Sequence, residues 1–99
     1  MNDLERRQLI SQTFRYYGEA AQLNQLQEEC AELILAINKY RRKKENALNN
    51  FIEEIVDVEI LIDQFKNTWF QEDEINKYRD YQTIKFARLR DRLKGDSNE

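Results

Sequence analysis

The sequence predicts an all-α fold, a four-helix bundle with two long antiparallel central helices. Pro is absent and Gly occurs only twice in 99 residues, so the chain lacks the turn residues that β-sandwiches and barrels need at short intervals. Apolar residues recur at spacings of three and four, the pattern of amphipathic helices. The composition, 40% hydrophobic and 35% charged, suits small helices with solvated outer faces. We expect residues 1–99 to form a single domain.

The first two predicted helices are separated by a glycine. Asn2 or Asp3 is expected to cap the first helix, which continues to about residue 17 and breaks at Gly18. The second helix is predicted over about 19–44, where basic residues suit the negative end of its dipole. Its apolar stripe, predicted to be buried, consists of Leu23, Leu26, Cys30, Leu33, Ile34 and Ile37.

The third predicted helix is the most apolar segment of the chain. It begins near residues 48–51 and ends near 67, and at about 100° per residue its apolar side chains cover most of the circumference. We therefore expect it to be the central helix. The fourth helix is predicted over about 72–93, and residues 94–99 are predicted to be a frayed tail.

The composition excludes several kinds of chemistry and partner. His is absent, which removes Ser–His and Cys–His catalysis and His-ligated zinc. One Cys provides neither an internal disulfide nor a two-cysteine zinc site. The net charge of −3 argues against a nucleic-acid partner. Apolar runs of signal-peptide or membrane-spanning length are missing, so we expect a cytoplasmic protein without membrane contact.

Acidic residues occur as two pairs on the two predicted central helices. Glu29 and Glu32 lie three residues apart on the second helix, and Glu54 and Asp57 lie three apart on the third. Such a pair projects about 60° and about 4.5 Å apart, so its carboxylates can converge on one ion. On facing antiparallel helices the two pairs would line one cleft. All-oxygen ligands favour Mg²⁺, with Mn²⁺ as the alternative.

A solvated helix face is the competing interpretation of these acids. Acids at three-residue spacing are common on exposed faces, where they pair with lysines. Solvated faces normally avoid the central helix of a bundle, however, and Glu54 and Asp57 lie beside its most apolar arc. Four carboxylates brought together without a cation would also repel one another strongly.

The acidic segments resemble a known family signature. Glu28-Glu29-Cys30-Ala31-Glu32, a spacer of twenty-one residues and Glu54-Ile55-Val56-Asp57 are similar to the EExxE…ExxD motif of the MazG-like, all-α nucleoside triphosphate pyrophosphatases. The resemblance extends over residues 18–93, including the basic stretch from Lys85 to Leu93. Ala87 stands where many relatives carry Asn, and Leu61 where they often carry an aromatic or polar residue.

The resemblance implies an enzyme that hydrolyses nucleoside or deoxynucleoside triphosphates between the α and β phosphates. The products would be a nucleoside monophosphate and pyrophosphate, and the cofactor would be Mg²⁺. The implied metal ligands are Glu29, Glu32, Glu54 and Asp57. Members of the family are usually dimers or tetramers, so we expect a homodimer or a dimer of dimers.

Further candidate residues surround the acids. Glu28 matches the first acid of the signature and is the candidate general base, with Glu53 as an alternative. Lys85 and Arg88 share one stripe of the fourth helix and are candidates for binding phosphate charge. Gln25, one turn before Glu29, is expected to hydrogen-bond the substrate or orient a ligand carboxylate. For each of these residues a solvated or boundary position is the competing interpretation.

Two other functions remain open at the level of sequence. A non-enzymatic helical dimer or interaction module would need the helices without the four acids. A relative with the same fold could cleave a different phosphorylated nucleotide. Binding of Mg²⁺ separates the first alternative from the enzyme, and analysis of the products separates the second.

Overall fold

The chain is helical almost throughout. A computed structural model describes residues 1–97 and contains four α-helices: α1 (Asp3–Tyr17), α2 (Glu19–Arg41), α3 (Ala47–Gln64) and α4 (Glu72–Ser97). A π-helical segment, Phe65–Trp69, continues α3. Residues 1–97 contain no β-strand, which confirms the predicted all-α class. Contacts divide the chain into two compact units, Met1–Trp69 and the segment from Phe70 onward, where the sequence predicts one domain.

The junction between α1 and α2 follows the sequence signals closely. The Asn2 side chain caps α1 by accepting a hydrogen bond of 2.8 Å from the Glu5 backbone N–H. Gly18 adopts φ 89°, a value that side-chain-bearing residues rarely adopt, and its N–H donates to the Phe14 carbonyl at 2.8 Å. The Gly18 carbonyl then accepts from Gln22, which starts α2 without an intervening loop.

Helix α2 ends three residues before its predicted end. Lys43 adopts φ 55°, the left-handed conformation that terminates helices and is usually taken by Gly. The Lys43 N–H donates to the Tyr40 carbonyl and the Lys44 N–H to the Lys39 carbonyl, the two bonds of a Schellman motif. Because a lysine occupies the position that glycine usually marks, the sequence pattern extends the helix too far.

Helices α2 and α3 pack side by side in antiparallel orientation, as predicted. The Gln22 side chain near the start of α2 donates a 2.7 Å hydrogen bond to Gln64 at the end of α3. At the other end, the rings of Tyr40 and Phe51 lie 5.8 Å apart. Both glutamines are buried, so their hydrogen bond satisfies polar groups that would otherwise be costly to bury.

The apolar core of the first unit is small. Helix α1 joins it through Phe14, whose ring meets Phe65 edge to face at 5.2 Å. The buried apolar side chains among the described residues are Phe14, Ala36, Ala47, Val58, Leu61 and Phe65. Helix α3 is central in that it contacts both α1 and α2, yet much of its apolar surface stays exposed, including Ile52, Val56 and Ile60.

The buried stripe predicted for α2 is only half covered. Leu26, Leu33 and Ile37 are partly buried, whereas Leu23, Cys30 and Ile34 are exposed. The prediction that all six are buried is therefore wrong for the chain on its own. The reason is geometric, because α3 covers one side of α2 and the stripe is wider than that contact.

Helix α4 is longer than predicted. It continues through Gly95 to Ser97, so residues 94–97 are helical rather than a frayed tail. Residues 98 and 99, the rest of that predicted tail, lie outside the described residues. The predicted linker also shortens, because only Phe70 and Gln71 separate the π-helical segment from α4.

Candidate metal centre

Three acids from α2 and α3 meet at one point. Glu29 projects from α2, while Glu54 and Asp57 project from successive turns of α3. One carboxylate oxygen from each residue lies within 4.8 Å of the other two. The antiparallel pairing of the helices brings residues near the middle of α2 opposite residues near the middle of α3. The three carboxylates form the cluster that we call the acidic triad.

Two oxygens of the acidic triad lack partners. Glu29 Oε2 and Glu54 Oε2 are both buried and have no hydrogen-bond partner in the part of the chain that the structure describes. The two residues are partly buried as a whole, and Asp57 is exposed. Buried carboxylate oxygens are normally paired with donors or with a cation, because losing water without compensation is costly. The triad therefore has unused capacity to bind a positive charge.

The pKa of Glu54 is raised by burial and by the neighbouring acids. It rises from 4.5 to about 7, first because the carboxyl group is withdrawn from water and then because it shares a hydrogen bond with Glu29 when protonated. The charges of Glu32, Glu29 and Asp57 raise the pKa further. A divalent cation would remove this penalty by favouring the ionised form of every acid that it contacts.

Gln25 holds one acid of the triad. Its side-chain Nε2 donates a 3.0 Å hydrogen bond to Glu29 Oε1, one turn further along α2. Glu29 Oε2, the other oxygen of this carboxylate, is the one without a partner. The geometry matches the orienting role among the alternatives predicted for Gln25, since a hydrogen-bonded carboxylate keeps its direction when it binds a metal.

The remaining predicted site residues lie at varying distances from the triad. Glu32 is exposed on α2, outside the group of oxygens within 4.8 Å, but its charge acts on Glu54. Glu28 and Glu53 are exposed on α2 and α3. Lys85 and Arg88 are exposed on α4, in the second unit. The structure thus brings together three of the four predicted metal ligands, while the charge of the fourth, Glu32, raises the pKa of Glu54.

The sequence did not predict the buried pair of side-chain amides formed by Gln22 and Gln64. Gln22 is buried near the start of α2, and its side chain donates a 2.7 Å hydrogen bond to Gln64 across the helix pair. Gln64 itself carried no signal in the sequence, because its burial depends on a partner 42 residues away. The pair ties α2 to α3 about two turns from the nearest residues of the triad and so helps to fix the spacing of the two helices.

Comparison with models of protein families, with curated proteins and with solved structures finds no match to this chain. The resemblance to MazG-like pyrophosphatases consequently rests on the sequence motifs alone. Within residues 1–97, no helix combines the length and apolar character needed to cross a membrane.

The raised pKa of Glu54 predicts how the stability of the metal-free protein changes with pH. Between about pH 4.5 and 7 the folded state binds the Glu54 proton more tightly than the unfolded chain does, so the free energy of unfolding falls as pH rises. We expect Glu54→Gln to remove this part of the pH dependence. Urea denaturation in the presence of a chelator measures it. Glu59→Gln, which changes an exposed acid of the same helix, should retain the wild-type profile, and equal profiles for all three proteins would contradict the prediction.

Proposed function

We propose that this chain is a Mg²⁺-dependent nucleotide pyrophosphohydrolase that cleaves nucleoside or deoxynucleoside triphosphates between the α and β phosphates. The acidic triad carries the proposal, because it offers three converging carboxylate oxygens and two buried oxygens without partners. The order and spacing of the acids, which resemble the MazG-like signature, supply the reaction class.

The residues of the triad fit a hard divalent cation. Mg²⁺ and Mn²⁺ prefer oxygen ligands, and Glu29, Glu54 and Asp57 provide only oxygen. Glu32 completes the proposed ligand set from α2, where its charge already acts on Glu54. When bound, the cation would offset the charge of the triphosphate and polarise its phosphates.

The chain's own side chains perform the remaining steps. Glu28 is the proposed general base: its carboxylate accepts a proton from the water that attacks phosphorus, and the bond to the pyrophosphate leaving group breaks. Gln25 keeps the Glu29 carboxylate in position through its 3.0 Å hydrogen bond. Lys85 and Arg88 are proposed to bind the phosphates and to stabilise the negative charge that develops on the leaving pyrophosphate.

We further propose that the protein assembles as a homodimer or a dimer of dimers in the cytoplasm. The exposed apolar side chains of α3, among them Ile52, Val56 and Ile60, support assembly because a monomer rarely leaves such residues uncovered on a central helix. The proposed substrate, a nucleoside triphosphate, accords with a cytoplasmic location. Neither nucleic acid nor membrane is part of the proposal.

A panel of substrates tests the proposed reaction. The purified protein is incubated with each common ribo- and deoxyribonucleoside triphosphate in Mg²⁺ buffer, and the products are separated by anion-exchange chromatography. We expect monophosphate and pyrophosphate in equal amounts, with no turnover when a chelator is present. Formation of diphosphate and orthophosphate would show that a different bond is cleaved. Absence of turnover on the whole panel, with either Mg²⁺ or Mn²⁺, would contradict the proposal.

The main competing function is a non-enzymatic interaction module. The exposed apolar faces of α2 and α3 favour it, because they are as expected for a protein that acts only by binding another chain. An interaction module would not need the two unpartnered carboxylate oxygens in its interior. Catalysis in the substrate panel therefore decides between the two functions.

A further inference from the structure

The turn between α2 and α3 follows a dense run of positive charge. Five of the six residues 39–44, which we call the basic turn, are basic and none is acidic. All five cations are exposed, and within residues 1–97 none of them forms an ion pair with a carboxylate. They are Lys39, Arg41, Arg42, Lys43 and Lys44. The chain itself therefore leaves this charge uncompensated.

The end of α2 does not account for all of this charge. Cations stabilise the last carbonyl groups of a helix, but the effect is confined to the last turn. Backbone bonds already satisfy two of these carbonyls, because the Lys43 N–H donates to Tyr40 at 3.0 Å and the Lys44 N–H to Lys39 at 3.1 Å. Lys43 and Lys44 also lie beyond Arg41, the last residue of the helix. Like charges this close repel one another, and an anion among them would remove that repulsion.

A groove of about 520 Å³ lies between the end of α2 and the first turn of α3. Every polar side chain that lines it can donate a hydrogen bond, and no acid is among them. Glu45, the one acid in positions 33–52, is not a lining residue. The polar lining residues are Tyr40, Arg41, Lys43, Lys44, Asn46 and Asn49. The groove is therefore chemically suited to a ligand rich in negatively charged oxygen atoms.

We propose that the basic turn binds a free, compact oligophosphate anion, of which inorganic pyrophosphate is the simplest, in this groove. The planar guanidinium of Arg41 suits paired phosphate oxygens, and Lys43 and Lys44 add mobile point charges. Along α3 the groove begins about 10 Å from Glu54, so the site is separate from the acidic triad. The inference goes beyond the proposed hydrolase activity and uses none of the residues assigned to it.

The charge of the rest of the chain favours a compact anion over an extended polyanionic surface. Outside the basic turn the sequence carries 11 bases and 19 acids, a net charge of −8. Interactions between exposed charges extend only about 8 to 10 Å at ordinary ionic strength. A small anion in the groove therefore interacts mainly with the basic turn. A nucleic acid or a lipid surface would also meet the acidic remainder of the chain and be repelled by it.

Calorimetric titration with inorganic pyrophosphate tests the proposal. A chelator is present throughout, so that no metal at the acidic triad can recruit phosphate. We expect saturable binding of one anion per chain. Arg41→Gln combined with Lys44→Gln should weaken it at least about 10-fold, because two cations that line the groove are lost. Arg6→Gln combined with Arg7→Gln is the matched control: it removes the same charge from two exposed residues of α1 and should change the affinity less than about twofold.

A third variant, Lys43→Gly, separates binding of the anion from a structural role of the turn. Glycine tolerates the φ of 55° at this position better than lysine does, so the variant should be at least as stable as the wild type in thermal denaturation. It should nevertheless bind pyrophosphate at least about 3-fold more weakly, because a cation that lines the groove is lost. Unchanged affinity in this variant and in Arg41→Gln/Lys44→Gln would overturn the proposal.

Three further outcomes would also overturn it. One is the absence of saturable pyrophosphate binding to the wild type. Another is an equal loss of affinity in the Arg6→Gln/Arg7→Gln control, which would mean that binding follows net charge and not the groove. The third is tighter binding of a single-stranded oligonucleotide or of anionic phospholipid vesicles, lost in Arg41→Gln/Lys44→Gln, which would assign the basic turn to a macromolecular partner. Because the titration contains no metal, its result is independent of whether the chain hydrolyses triphosphates.

Discussion

Replacing Asp57 with Asn or Glu32 with Gln is expected to lower the hydrolysis of nucleoside triphosphates at least about 100-fold. Removing a residue that only supports a metal ligand already costs about 10- to 100-fold, and removing a ligand itself should cost at least as much. Both changes keep the size of the side chain and remove the charge that would hold Mg²⁺. Because they also relieve repulsion among crowded carboxylates, the metal-free variants should be at least as stable as the wild type. Steady-state release of pyrophosphate measures the first effect, and thermal denaturation with a chelator measures the second.

The two variants also test different parts of the site. Asp57 belongs to the acidic triad, whereas Glu32 lies outside it and acts on Glu54 through its charge. Glu59→Gln, which removes an exposed acid from α3, serves as the control and should leave turnover unchanged. Wild-type activity in Asp57→Asn would remove the triad from the mechanism. Wild-type activity in Glu32→Gln alone would restrict the ligands to the three acids that the structure brings together.

The second large effect is expected on α4. Lys85→Ala or Arg88→Ala should lower kcat/KM for triphosphate substrates about 10- to 100-fold, because each change removes a cation proposed to stabilise charge on the leaving pyrophosphate. The affinity for Mg²⁺ should be unchanged, since neither residue is a proposed ligand. Lys77→Ala removes an exposed cation from the same helix and provides the matched control. Unchanged kinetics in both variants would identify Lys85 and Arg88 as part of a solvated face.

Local signals predicted most of the secondary structure. Asn2 and Gly18 mark the ends of α1, and the observed side-chain cap at Asn2 and the positive φ of Gly18 are the physical reasons for these signals. The sequence was less informative where an unusual residue fills a special position. Lys43 ends α2 in a left-handed conformation without the glycine that usually marks it, so the predicted helix was three residues too long.

The acidic triad was predictable in part. Spacing along a helix indicated that Glu54 and Asp57 share a face, and the antiparallel arrangement brought Glu29 to them. Whether Glu32 or Glu29 stands closer depends on the rotation of α2 against α3, which the spacing of acids alone does not define. The burial of the Gln22 and Gln64 amides is similarly a property of the helix pair, since the hydrogen-bond partner of each lies 42 residues away in the sequence.

Burial was the least predictable property. Periodicity identified a wide apolar stripe on α2, but Leu23, Cys30 and Ile34 remain exposed because α3 covers only one side of that helix. A sequence pattern shows that a surface is apolar without showing which chain covers it.

The central claim is that the acidic triad binds a divalent cation, and calorimetric titration with Mg²⁺ and with Mn²⁺ tests it most directly. Three proteins are compared after removal of metal with a chelator: the wild type, Glu54→Gln and the control Glu59→Gln. We predict saturable binding to the wild type and the control. For Glu54→Gln we predict an affinity at least about 10-fold lower, because a ligand and its charge are lost. Absence of saturable binding to the wild type, or equal affinity in all three proteins, would contradict the account.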